Sequence, residues 1–119
     1  MNQQNFPQND RQEALNWLVE YFPAAFYQKS KQVKPLKLGI FEDIVDFYER
    51  LEVPPFSKKV LRDAINYYSA SKAYLICQTE KSARIDLFGN EVDTVTAEQA
   101  QYAQKRFEQR YASTREVNK

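Results

Sequence analysis

Leu15, Leu18, Val19 and Phe22 fall at i, i+3, i+4 and i+7, and the same spacing returns at Phe41, Ile44, Val45 and Tyr48 and again at Leu61, Ala64, Ile65 and Tyr68. A period near 3.6 gathers each set onto one helix face, so the chain must bury three amphipathic helices against one another. Asp10 with Glu13 reads as a capping box, which predicts a first helix from about Arg11 to Phe22, stopped by Pro23. Ile40, Phe47 and Leu51 widen the second stripe and predict a deeply buried helix from about Gly39 to Leu51, ended by Pro54 and Pro55. Ser57 is the expected N-cap of the third. Between the first two helices, "AAFYQKSKQVKPLKLG" holds no sustained period beyond a helical turn at Ala24 to Phe26. Pro35 biases Lys34 toward an extended conformation, so this stretch is expected as a basic connector.

Past Ser69 to Ser71 the pattern changes. "AYLICQ" and "ARIDLFGNEV" predict two strands joined by "TEKS", the second alternating Arg84 and Asp86 against Ile85 and Leu87, with Gly89-Asn90 as a turn. Cys77 is then a small hydrophobe of the first strand. Thr96 with Gln99 forms a second capping box, and Ala100, Ala103, Phe107 and Tyr111 mark a closing helix to about Ala112. The expected fold is mainly α, of the α+β class, with a small β-hairpin before the last helix. The 119 residues suit one domain, expected over 10–112, with an Asn/Gln-rich disordered tail at 1–9 and a C-terminal tail at 113–119.

Several chemistries are out of reach. The chain has no histidine, which removes the usual general base and the commonest metal ligand. Cys77 is the single cysteine, so neither an intramolecular disulfide nor a thiolate metal cluster within one chain can form. With Gly39 and Gly89 as the only glycines, neither a P-loop nor a GxGxxG loop can be written. No enzyme activity, cofactor or metal is expected. Glu42, Asp43 and Asp46 read as a solvated acidic helix face. No run of 18 apolar residues occurs and "MNQQNFPQND" has no signal-peptide pattern, so a cytoplasmic protein with no membrane partner is expected.

Seventeen Lys and Arg against sixteen Asp and Glu leave a formal charge of +1, yet the positives are not evenly spread. Lys29, Lys31, Lys34 and Lys37 follow one another with no acid between them, and Lys58, Lys59, Arg62, Lys72, Lys81 and Arg84 continue the series. The acids gather at Glu42 to Glu52 and in the C-terminal third. A near-neutral total therefore conceals one basic face. Arginines, lysines, tyrosines and small hydroxyls concentrate in "SKKVLRDAINYYSASKAYL", the residue types that hold phosphates and stack unpaired bases. Lys58, Arg62 and Asn66, spaced by four, share a helix face, although charge on such a face is commonly just solvated. Tyr67 and Tyr68 read as packing residues, and the setting of Trp17 stays open.

"KPLKLGIF", "SKKVLRDAINYYSASKAYL" and "SARIDLFGN" together resemble, in order and spacing, the ProQ/FinO domain family of bacterial RNA-binding proteins and RNA chaperones, over roughly Phe22 to Tyr111. The resemblance implies a compact helical domain with a hairpin, and a concave basic face for the 3′ ends of structured RNAs. Typical targets are a terminator hairpin stem with its single-stranded uridine tail, in small RNAs and in mRNA 3′ ends. Carried onto this chain, Lys34 and Lys37 flank the "PL" motif, Lys58 and Arg62 face RNA from the helix, Tyr74 opens the hairpin and Arg84 lies on the second strand. Ser69 and Ser71 mark a helix terminus near the RNA end, and Lys72 and Lys81 complete the expected RNA-binding set. Asn66 and Ala73 stand where family members often carry arginine, and Lys59 and Lys72 are the nearest candidates to replace that charge. The expected partner is structured RNA rather than DNA, bound by a monomer. Two other readings stand beside this one: a protein-interaction module with a tyrosine-rich docking face, and a metal-dependent RNA-processing activity on Glu42 and Asp46.

Overall fold

The computed structural model describes residues 7–112. Helix α1 spans Pro7–Tyr21, α2 Ile40–Glu49, α3 Lys58–Ser69, α4 Lys72–Cys77 and α5 Ala97–Phe107, with a hairpin of β1, Ala83–Ile85, and β2, Glu91–Thr94, before α5. A 3₁₀ turn at Ser30–Gln32 interrupts the connector, and a π-helical turn, Glu108–Ala112, prolongs α5. The mainly α fold with one small hairpin is as expected. The residues of the expected tails at 1–6 and 113–119 lie outside those described.

The three stripes meet as their spacing requires. Leu18, Ile44 and Leu61, one from each helix, are fully buried together with Phe26, each removal from water stabilising by roughly 1.5–3 kcal/mol. The open question of Trp17 resolves to the core: it is buried, edge-on to Phe22 and Phe56 and 5.8 Å from Phe47 between ring centroids. Helix α1 packs on α3, and α4 packs on α5. Across the double proline, the Tyr48 hydroxyl donates to the Phe56 carbonyl and Lys58 pairs with Glu49, closing the α2–α3 loop.

Both inner caps form as expected. Ser57 Oγ accepts from the Val60 amide at 3.2 Å, and Thr96 and Gln99 make the reciprocal capping box of α5. Helix α1 begins earlier than its expected cap. It starts at Pro7, a residue whose fixed φ and missing N–H suit the first helical position, so Asp10 lies inside the first turn.

"AYLICQ" is a helix and not a strand. Ser71 caps it, its Oγ accepting from the Tyr74 amide at 3.2 Å and donating to the Tyr68 carbonyl at 2.7 Å. Leu75 and Gln78 are buried while Ile76 is exposed, a spacing of three rather than an alternation. A short apolar run fits either period, and the cap decides. Cys77 accordingly ends a helix, where its thiol donates to the Tyr74 carbonyl at 3.1 Å.

The stretch "ARIDLFGNEV" folds back on itself instead of forming one strand: it holds β1, the turn and the start of β2, which runs on to Thr94. Asp86 Oδ1 accepts from the Phe88 and Asn90 amides, both at 2.9 Å, and these bonds hold its carboxyl below the usual carboxylate range. Gly89 has φ +85°, and a Cβ there would stand 3.1 Å from the Ala24 Cβ, so both conformation and space call for glycine. The strands pair antiparallel, Ala83 with Thr94 and Arg84 with Asp93, and a bulge follows before Ile85 meets Glu91. On the other side of β1 the connector adds a short parallel edge: Ile85 donates to the Pro35 carbonyl and accepts from the Lys37 amide.

Candidate functional site

Arg84 and Ile85 are successive residues of β1 and both are buried, so the expected alternation of an exposed and a covered face does not hold there. Arg84, expected on an open strand face, is only 4% exposed. Its Nη1 donates to the Leu36 carbonyl at 2.8 Å, and its Nη2 to Gln78 Oε1 at 3.2 Å and Gln99 Oε1 at 3.1 Å. Three elements thus converge on one guanidinium: the connector, the end of α4 and the capping box of α5. All three acceptors are neutral, and among the described residues no carboxylate pairs with Arg84. Its Nε, and the neighbouring Gln78 Nε2, are buried donors without an acceptor.

Tyr74 reaches the same place from α4. Its phenol oxygen accepts from the Leu36 amide at 3.0 Å, its ring lies 5.9 Å from that of Tyr68, and burial pushes its hydroxyl pKa up. Because the oxygen is occupied as an acceptor, its own proton remains to be donated.

Arg84, Gln78 and Tyr74 form the floor of a cleft of about 500 Å³, walled by Leu38, Ser69 and Arg106 and by the half-exposed ring of Tyr102. That volume suits a small organic group such as a nucleotide. Its polar floor and apolar wall suit a ligand with an anionic end and a flat ring.

Of the residues expected to bind RNA, Ser69, Tyr74 and Arg84 meet in this cleft. Ser71 opens instead onto a neighbouring, more apolar groove beside Tyr27 and Tyr68. The remaining basic residues stand outside it. Lys37 is ion-paired to Asp43 at 2.7 Å, a hydrogen bond that raises its pKa, and Lys58 is paired to Glu49. Arg62 is exposed, with its guanidinium 5.4 Å from the Phe41 ring centroid, Lys72 lies 5.8 Å from that of Tyr111, and Lys34 and Lys81 are exposed in loops. Of the two candidates to replace the charge absent at Asn66, Lys59 pairs with Asp63 and Lys72 lies beside Tyr111. Asn66 lines a depression together with Arg11, Arg106 and Arg110.

Sequence reasoning did not find Gln78, Gln99, Tyr102 or Arg106. Tyr102, Arg106 and Arg110 are spaced by four along the closing helix, a period that could have revealed them. The acidic face on α2 is as read, with Asp43 engaged by Lys37, and no cluster of acids among the described residues could hold a metal ion. The tyrosines do not make one docking face: Tyr48 and Tyr68 are buried, while Tyr21, Tyr67 and Tyr102 are exposed on separate elements. Burial pushes the hydroxyl of Tyr68 up to about 12 and the thiol of Cys77 up to about 11.

A small helical domain that keeps a guanidinium at the floor of a nucleotide-sized cleft, bonded only to neutral acceptors, has donors that an anionic group could use. The chain belongs to the ProQ/FINO family, which it matches over residues 8–119. It is 38% identical over 108 residues to the RNA chaperone ProQ of Idiomarina loihiensis, covering 90% of this chain and 50% of that protein. It is likewise 38% identical over 112 residues to the RNA chaperone ProQ of Aeromonas salmonicida, covering 90% of this chain and 51% of that one. The chain therefore spans about half the length of the curated relatives it matches. Among solved structures, a ProQ homolog from Legionella pneumophila superposes with a TM-score of 0.77 at 58% identity, over 93% of this chain and 91% of that one. The FinO-like RNA chaperone of Neisseria meningitidis shares the fold, with a TM-score of 0.65 at 19% identity over 90% of this chain and 83% of that one. No helix among the described residues is long and apolar enough to cross a membrane.

Proposed function

We propose that this domain binds structured RNA as an RNA chaperone and seats the RNA 3′ end in the Arg84 cleft. The observation that carries the reading is the buried Arg84, with neutral partners on Nη1 and Nη2 and an Nε buried without an acceptor. A guanidinium withdrawn from water without a counterion is costly, and a phosphate entering the cleft would offset that cost through charge-assisted bonds. Tyr74 has a hydroxyl proton to donate to the terminal ribose or phosphate. The exposed ring of Tyr102 gives the last base a stacking surface.

Lys34, Lys58, Arg62, Lys72 and Lys81 supply the outer positive field that draws RNA in and touches the stem backbone, with Lys37 released from Asp43 or left paired beside it. A cleft for one end and a basic surround for a duplex together favour a hairpin with a single-stranded 3′ tail, as expected of small RNAs and mRNA 3′ ends. The names of the relatives, RNA chaperones, support RNA binding as such. The test is a gel shift at one salt concentration with a tailed hairpin and its blunt counterpart. At least tenfold tighter binding of the tailed RNA is expected, and equal affinity would count against the proposal.

A further inference from the structure

Behind the Arg84 cleft lies a second depression, of about 550 Å³, that the proposed function leaves unused. It forms where α1, α3 and the end of α5 meet. Arg11 comes from α1, Asn66 and Tyr67 from α3, Arg106 from α5 and Arg110 from the π-helical turn. The guanidinium of Arg11 lies over the Tyr67 ring, 4.1 Å from its centroid. The Tyr111 hydroxyl donates to the Ala70 carbonyl at 3.1 Å, which pins the π-helical turn to the end of α3, and Arg110 Nε donates to that hydroxyl at 3.4 Å. Arg106 lies 5.9 Å from the Tyr102 ring centroid and Arg110 5.9 Å from that of Tyr111, so all three arginines stand against aromatic rings. Among the described residues none of the three makes an ion pair. Asp63 also lines the depression, but its carboxylate is engaged by Lys59 at 3.2 Å.

Two residues, Ser69 and Arg106, line both this depression and the Arg84 cleft. We infer that Arg11, Arg106 and Arg110 form a second phosphate seat, which holds the backbone of the RNA strand leading away from the end bound at Arg84. The inference rests on the reading of the Arg84 cleft as the seat of an RNA end. Planar guanidinium forks match phosphate oxygens bidentately, and three of them converging without a carboxylate partner form a site for a polyanion rather than for a neutral ligand. The continuity through Ser69 and Arg106 gives the occupant a path. A strand whose terminal nucleotide sits over Arg84 crosses that shared wall and meets Arg110 and Arg11 next.

The experiment measures affinity for a tailed hairpin across a salt series, for the wild-type chain, for the triple variant Arg11→Gln, Arg106→Gln, Arg110→Gln, and for an equal-charge control, Lys31→Gln, Arg50→Gln, Lys105→Gln. Each phosphate that the protein no longer neutralises lowers the log–log salt slope by about 1, so the triple variant is expected to lose about 2 to 3 from its slope while the control keeps most of it. Thermal melts of both variants are expected to stay close to wild type, because four of the six residues are exposed and Arg11 and Arg106 are only half-buried. A triple variant that binds with the wild-type slope overturns the second seat and leaves the Arg84 reading standing. A control that loses as much slope as the triple variant also overturns it, since net charge would then explain the effect. A wild-type chain that binds no tailed hairpin removes the Arg84 reading, and the second seat with it.

Discussion

Arg84 and Tyr74 grip the two ends of the same residue: the guanidinium donates to the Leu36 carbonyl at 2.8 Å, and the phenol oxygen accepts from the Leu36 amide at 3.0 Å. The connector between α1 and α2 is thereby tied to the floor of the cleft. Fold and binding surface share these bonds, so mutations here act on both.

Arg84→Lys is the first test of that sharing. An ammonium keeps the charge but cannot serve Leu36, Gln78 and Gln99 at once, so we expect a loss of roughly 1–3 kcal/mol of stability together with at least tenfold weaker RNA binding. Exposed Arg62 makes the contrast. Arg62→Ala should change stability by no more than about 0.5 kcal/mol and weaken binding only a fewfold. Chemical denaturation and RNA affinity measured on both variants check the pair. If Arg84→Lys melts as wild type, the guanidinium fork is not structural.

Tyr74→Phe removes the acceptor of the Leu36 amide and should cost roughly 1–3 kcal/mol, while Tyr74→Ala should cost about 3–5 kcal/mol by opening a cavity beside Tyr68. The phenylalanine variant is also expected to lose affinity for the tailed hairpin and keep its affinity for the blunt one. Normal tail preference in Tyr74→Phe would remove the hydroxyl from the site.

Ser71→Ala deletes the N-cap of α4 and should destabilise the domain by about 1 kcal/mol. Because α4 carries Tyr74 on its first turn, preference for the tailed RNA is expected to fall with it. The check is amide hydrogen exchange across Lys72–Cys77, which should quicken in the variant.

Cys77 gives a pH test. Burial raises its thiol from 9.0 to about 11, so the folded state favours the neutral form. That contribution to stability is fully present below pH 9 and is lost as the pH rises through about 11. Alkylation at pH 8 should be slow in the folded chain and fast in denaturant. Equal rates in the two states would show the thiol to be open.

The helices could be read from the chain because their stripes, caps and prolines all indicate the same period. Ser57, Thr96 and Gln99 do in the structure what their sequence positions predict. Helix α4 could not be read in that way: six residues cover less than two turns, and "AYLIC" suits a strand equally until the Ser71 cap is counted. The site was legible as a set of residue types and not as an arrangement. An arginine in an alternating stretch is expected to face solvent, but the connector, the end of α4 and the start of α5 pack over Arg84 and bury it. The convergence of Gln78 and Gln99 on it depends on packing between elements distant in sequence, which no local pattern encodes.

The central claim is that the uncapped face of Arg84 receives the RNA 3′ end, and its Nε–H reports on this directly. Proton–nitrogen NMR of the arginine side chains, recorded while tailed and blunt hairpins are added at one salt concentration, follows that group through binding. The account predicts that the Arg84 Nε–H resonance shifts on adding the tailed hairpin and stays in place with the blunt one. A tailed RNA that binds tightly while the Arg84 Nε–H and the Gln78 side-chain amide stay unmoved would contradict it.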